Sequence, residues 1–118
     1  MILVDTSVWI AHLRHGVGPL RDLLEDGQVL THDYVIAELA CGYLPGWQEF
    51  LRDLKRLPRA AVATNDELLA FIERRSLMGT GLNFVDMHLL ASRRLHPDVT
   101  LWSYDRRLQE LAAASGRH

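Results

Sequence analysis

Met1-Ile2-Leu3-Val4-Asp5-Thr6-Ser7-Val8-Trp9 is the stretch that decides the fold. Its first four residues form a continuous apolar run without polar alternation. That is the pattern of a strand buried on both faces, and such strands belong to parallel sheets. Asp5 ends the run, and Asp5-Thr6-Ser7 offers capping side chains to a helix carrying Val8, Trp9, Ile10 and Leu13, which closes near Gly16. The unit is strand, acid, helix. It returns near the far end of the chain, where Val99-Thr100-Leu101-Trp102 reads as a strand and is followed by Ser103-Tyr104-Asp105 and a helix to Ala114.

Working outward, Pro19 suits the first turn of a helix reaching Asp26, Gly27 ends it, and Gln28 to Thr31 reads as a second strand. From Asp33 to Tyr43, Val35, Ile36, Leu39, Ala40 and Tyr43 recur at helical spacing until Pro45 and Gly46 break the segment. Trp47 to Lys55 is a further amphipathic helix, and Leu57-Pro58 turns the chain into an expected strand over Ala60 to Thr64. Helices follow over Asn65 to Leu77 and Asn83 to Leu95, separated by Gly79-Thr80-Gly81 and stopped by Pro97. Strands alternating with helices imply an α/β fold with parallel connections, here with four strands.

The 118 residues are 48% hydrophobic with only 8 Gly and 4 Pro, which excludes disordered and low-complexity classes and implies one domain over residues 1–118. A chain of this size buries roughly two-thirds of the surface its unfolded form exposes, enough for a core without disulfides. The single cysteine, Cys41, cannot form an internal disulfide, so a reducing cytoplasm is expected. No apolar run approaches the about 20 residues of a membrane span, and Asp5 interrupts the N-terminal run too early for a secretory leader. The net charge of -2 argues, at first, against a nucleic-acid partner.

Four acids qualify that inference. In open parallel sheets ligands bind beyond the carboxyl ends of the strands, where Asp5 and Asp105 both fall. Asp86 occupies the first turn of the helix opened by Asn83, and Glu38 lies within the helix after the second strand. Each has a plainer explanation: Asp5, Asp86 and Asp105 as helix caps, Glu38 as a boundary residue reaching water. Glu38, flanked by Val35, Ile36, Leu39 and Ala40, gains nothing from capping. If the four converge, two carboxylates about 4 Å apart repel by about 4 kcal/mol at an effective dielectric near 20. A hard divalent cation relieves this; Mg²⁺ or Mn²⁺ suits oxygen donors, whereas Zn²⁺ prefers His or Cys. Such a centre suits hydrolysis of phosphate esters.

Met1-Ile-Leu-Val-Asp5-Thr6-Ser7-Val-Trp, Val35-Ile-Ala-Glu38-Leu-Ala-Cys-Gly42, Gly81-Leu-Asn-Phe-Val-Asp86-Met-His-Leu-Leu-Ala91 and Leu101-Trp-Ser103-Tyr-Asp105-Arg-Arg-Leu108 occur in this order. Together they resemble the PIN-domain ribonucleases, most closely VapC-like toxins of type II toxin–antitoxin systems, over about residues 1 to 114. The resemblance implies a three-layer α/β/α sandwich with a mainly parallel sheet of four or five strands, hydrolysing RNA phosphodiesters endonucleolytically with Mg²⁺ or Mn²⁺. Asp5, Asp86 and Asp105 match its metal-holding aspartates and Glu38 its fourth acid; Thr6 and Ser103 match supporting hydroxyls. It also implies a cognate antitoxin and a homodimer. Members often carry a short strand after the last helix, for which Gly116-Arg117-His118 leaves little chain.

Other residues are expected to be ordinary. His12 and His15 share a helix face but have no further ligand, and His88 points away from Asp86. Cys41 is expected to be a small buried hydrophobe, and Trp9, Trp47 and Trp102 to pack rather than stack on bases. Arg93 and Arg106 are candidates for guiding RNA phosphate. A receiver-like signalling module also gathers acids around Mg²⁺, but it expects paired acids after the first strand and a Lys after the last; Lys55 is the only Lys. A housekeeping PIN nuclease without a toxin role is the other alternative.

Overall fold

The computed structural model describes residues 1–115. At its centre is β1 (Ile2–Val4), flanked by β2 (Val29–Leu30) and β3 (Thr100–Trp102), all parallel in the order β2-β1-β3. Ile2 stands opposite both Val29 and Thr100, and Leu3 opposite Leu30 and Leu101. Successive strand side chains point to opposite faces. Leu3 and Val4 are both 0% exposed, so both faces of β1 are covered, as its unbroken apolar run requires.

Helices α1 (Thr6–His15) and α2 (Gly18–Glu25) link β1 to β2. Between β2 and β3 come α3 (Asp33–Cys41), α4 (Trp47–Lys55), α5 (Asn65–Arg75) and α6 (Phe84–Leu95), and α7 (Arg106–Ser115) follows β3. Pro19 occupies the first turn of α2, where its missing N–H costs nothing. Capping boxes start α5, from Thr64 and Glu67, and α6, from Asn83 and Asp86. Leu20, Leu54, Leu89, Leu90, Leu101 and Leu108 are fully buried around the sheet. Truncating any one to Ala costs about 2–5 kcal/mol in a close-packed core.

The sheet has three strands among the described residues, not the four or five expected. Residues 60–64 form no strand; the only pairing there is an isolated parallel bridge between Thr31 and Arg59. It consists of Thr31 N–H donating to Pro58 O and Ala60 N–H donating to Thr31 O, at 2.9 and 2.8 Å. Pro58 cannot donate on its own turn, and Ala60 and Ala63 carry too little side chain to hold a longer ladder. A strand after α7 would fall outside the described residues.

Two further expectations change. Cys41 is exposed, because it ends α3 just before Gly42 and not within the buried stripe. His12 is not merely solvated: its Nδ1 accepts the Val17 N–H at 3.0 Å, closing the turn from α1 into α2. Among the described residues no helix is long and apolar enough to cross a membrane.

Candidate active site

A cleft of about 600 Å³ opens beyond the carboxyl ends of the strands, and Asp5, Glu38, Asp86 and Asp105 all line it. Parallel topology brings the first and last strands side by side, so Asp5 and Asp105 meet from opposite ends of the sequence. Glu38 comes from α3 and Asp86 from the first turn of α6.

Each carboxylate is fastened by one oxygen. Asp5, 4% exposed, makes no capping bond although it stands at the N-cap of α1. Instead its Oδ2 accepts from the hydroxyls of Ser7 at 2.8 Å and Ser103 at 2.7 Å. Glu38 Oε1 accepts from Thr6 Oγ1 at 2.6 Å. Asp86 Oδ2 accepts the Asn83 N–H at 3.2 Å, and Asp105 Oδ1 accepts the Leu108 N–H at 3.0 Å, so these two do cap α6 and α7. Among the described residues, Asp5 Oδ1, Glu38 Oε2, Asp86 Oδ1 and Asp105 Oδ2 accept no hydrogen bond from the protein. Capping and site-building therefore coexist in one side chain.

The charges register with one another. The Asp86 carboxyl is pushed above the usual range, first by burial and then by the negative charges of Asp5, Asp105 and Glu38, against the lowering effect of the Asn83 N–H. Among the described residues no three His, Cys, Asp or Glu side chains form a ready-made metal cage. The donors are spread around the cleft.

Thr6 and Ser103 stand where the resemblance placed supporting hydroxyls, one on Glu38 and the other on Asp5. Ser7 is a third such hydroxyl: besides bonding Asp5, its Oγ accepts the Tyr104 N–H at 3.0 Å, tying the start of α1 to the loop after β3. Its place two residues after Asp5 was the only signal in the sequence. Gln109 also escaped notice; its Oε1 accepts the Ser103 N–H at 2.9 Å while its Nε2 donates to Leu101 O at 3.3 Å.

The arginines divide differently from expectation. Arg93 sits by the start of β3, the opposite end from the cleft, donating through Nε to Val99 O at 3.2 Å and through Nη1 to Ala112 O at 2.9 Å. Arg106 is 92% exposed, 3.9 Å from Glu110, and outside the cleft lining. Arg14, from α1, is the basic residue that does line the cleft. His88 turns away from Asp86 into an aromatic group with Tyr34, Phe84 and His32.

A parallel α/β sheet with carboxylates gathered beyond its strand ends defines a class of acidic-cleft domains, and the chain belongs to one family of them, the PIN domain, whose model matches residues 2–114. Among curated proteins it is similar to Ribonuclease VapC32 of Mycobacterium tuberculosis, in strains CDC 1551 / Oshkosh and ATCC 25618 / H37Rv. Identity is 45% over 116 residues, covering 98% of this chain and 94% of the relative. No solved structure matches significantly. Membership in the PIN family removes the receiver-like alternative.

Proposed function

We propose that the chain is the toxin of a toxin–antitoxin pair, an endoribonuclease that hydrolyses RNA phosphodiester bonds with a divalent cation, Mg²⁺ or Mn²⁺. The observation that carries this is the set of four carboxylates on one cleft, each fastened by one oxygen with the other uncommitted. Asp5, Asp86 and Asp105 would hold the ion, directly or through water, and Glu38 would complete the pocket. The donor set fits such an ion. It is all oxygen, and Mg²⁺ keeps several waters while touching only one or two carboxylates, so donors spread around a cleft suit it better than a tight cage. When bound, the cation acidifies and orients the attacking water and offsets charge on the phosphoryl oxygens.

The protein's own part is positioning. Ser7 and Ser103 fix Asp5, the N-termini of α6 and α7 fix Asp86 and Asp105, and Thr6 fixes Glu38 so that Oε2 remains available to a water proton. Further support comes from the 45% identity to a protein named as a ribonuclease over nearly the whole length of both chains. The same proposal gives the chain a single three-layer domain, RNA as substrate, a cognate antitoxin and a second copy of itself as partners, and the cytoplasm as its place. With the four acids set aside, the rest of the chain stands at +2 against a total of -2, so the acidic excess belongs to the cleft.

The test is cleavage of RNA by the purified chain with Mg²⁺ or Mn²⁺, compared with EDTA and with Asp5→Asn. Cleavage that needs the cation and is abolished in Asp5→Asn is expected. Undiminished cleavage by Asp5→Asn, in preparations free of host nuclease, overturns the assignment.

A further inference from the structure

We infer that Arg14 and Tyr43 extend the acidic cleft into a track for single-stranded RNA, Arg14 holding a phosphate that flanks the scissile one and Tyr43 stacking a flanking base. This rests on the ribonuclease proposal above and adds to it the residues that receive the strand.

Ser7, Ile10 and Arg14 follow one another at helical spacings of three and four, so they share one face of α1, and all three line the cleft. The row begins beside Asp5 and ends at Arg14. With a rise of about 1.5 Å per residue, the Arg14 backbone lies about 13 Å along the helix from Asp5, so its side chain suits a phosphate next to one held at the acids. Among the described residues Arg14 forms no ion pair; the pairs present are Arg59 with Asp33 and Arg106 with Glu110. A guanidinium paired to the four acids would displace a cation. Held apart from them, it keeps its planar fork for two phosphate oxygens.

The chain leaving α3 supplies Gly42, Tyr43 and Leu44 to the same lining. Tyr43 is 95% exposed, an unusual state for an aromatic ring beside apolar Leu39 and Leu44. A second hollow, from Tyr43 to Glu49, continues past it over the loop into α4, so the ring stands where two depressions join. An exposed aromatic beside a cation is the pairing used to bind single strands without reading sequence: stacking on the base face, charge on the backbone.

The test measures kcat and KM for Mg²⁺-dependent cleavage of a fluorescein-labelled, mixed-sequence single-stranded RNA oligonucleotide, across a salt series. Arg14→Ala is expected to raise KM about tenfold with kcat within about twofold, and to lower the slope of log affinity against log salt by about one. Arg14→Lys restores the salt slope but not the whole affinity, because a point charge replaces the fork. Tyr43→Ala raises KM between about fivefold and a hundredfold, and Tyr43→Phe behaves as wild type. Arg74→Ala, on α5 outside the lining, is the control. If wild type cleaves RNA and the Arg14 and Tyr43 variants match it, the track is refuted and the nuclease stands. If wild type cleaves no RNA with either cation, both fall. If the variants keep their RNA KM but lose neutralisation by an antitoxin, the surface belongs to a protein partner and the track is refuted.

Discussion

The Ser103 hydroxyl donates to Asp5 Oδ2 at 2.7 Å, joining residues 98 apart in sequence. Ser103 Oγ in turn accepts the Asp105 N–H at 2.9 Å. One hydroxyl thus fixes two of the four acids relative to each other, at the ends of adjacent parallel strands.

Ser103→Ala is therefore expected to act on the site and on stability together. Asp5, buried at 4% exposure, loses one of its two donors and the Asp105 N–H loses its acceptor, a loss of about 1–3 kcal/mol of stability. Cleavage falls about 10- to 100-fold, the usual effect of removing a group that orients a metal ligand. Ser103→Thr restores both. Denaturant melts and cleavage rates check this; an Ala variant with wild-type rate would show that Asp5 is held by Ser7 alone.

Asp86→Asn is expected to stabilise the fold while abolishing cleavage. The raised Asp86 pKa means that ionisation opposes folding: the native state holds its proton more tightly, so stability falls as pH rises through the native pKa. Asn removes the repulsion and keeps an oxygen for the Asn83 N–H. The expected gain is a rise of a few degrees in Tm, limited by the partial exposure of the group to solvent. Calorimetry at neutral pH without divalent cation measures it, and an unchanged or lower Tm would contradict the electrostatic account.

Arg93→Ala is expected to lower stability by about 2–3 kcal/mol, since it leaves the Val99 and Ala112 carbonyls without their charged donor. RNA affinity per folded molecule stays unchanged. Arg106→Ala leaves the melting temperature where it was, its partner among the described residues being a solvent-exposed Glu110. Reversal of these two outcomes in parallel melting and binding experiments would return Arg93 to the substrate.

His32 makes stability sensitive to acid. It is fully buried, its Nδ1 caps α3 by accepting the Tyr34 N–H at 3.0 Å, and burial, then the neighbouring His88, push its pKa down from 6.5 to about 4. The native state binds fewer protons than the unfolded chain between these values, so this contribution is complete above pH 6.5 and lost as pH falls towards about 4. It amounts to something on the order of 3 kcal/mol. His32→Asn keeps a capping oxygen and cannot titrate; a melt series should show a flatter loss of stability across this range. An equally steep loss would assign the acid sensitivity to other groups.

How much of this could be read beforehand depends on whether a feature lies in pattern or in direction. The unbroken apolar runs at β1 and β3 and the Asn83 cap of α6 are local, and they placed those elements correctly; α1 starts where expected, but Asp5 gives its side chain to Ser7 and Ser103 and not to a cap. Tertiary pairing decides residues 60–64, where alanines read as strand but bury too little to hold one. That all four acids line one cleft followed from the parallel topology. Side-chain aim did not: helical spacing could not show that Arg93 turns to the far end of β3, that Arg14 faces the cleft, or that Cys41 emerges at the end of its helix.

The double use of Asp86, one oxygen on the first turn of α6 and the other left to the cleft, shapes how the chain fails by mutation. On the proposed ribonuclease reading, an Asn there is expected to leave an intact but inert copy, whereas a side chain without an acceptor would also unravel the start of a helix. The inert copy still presents the surface of a working one. If the proposed antitoxin binds that surface, the inert copy would act as a decoy, occupying the antitoxin and leaving the active copies less restrained.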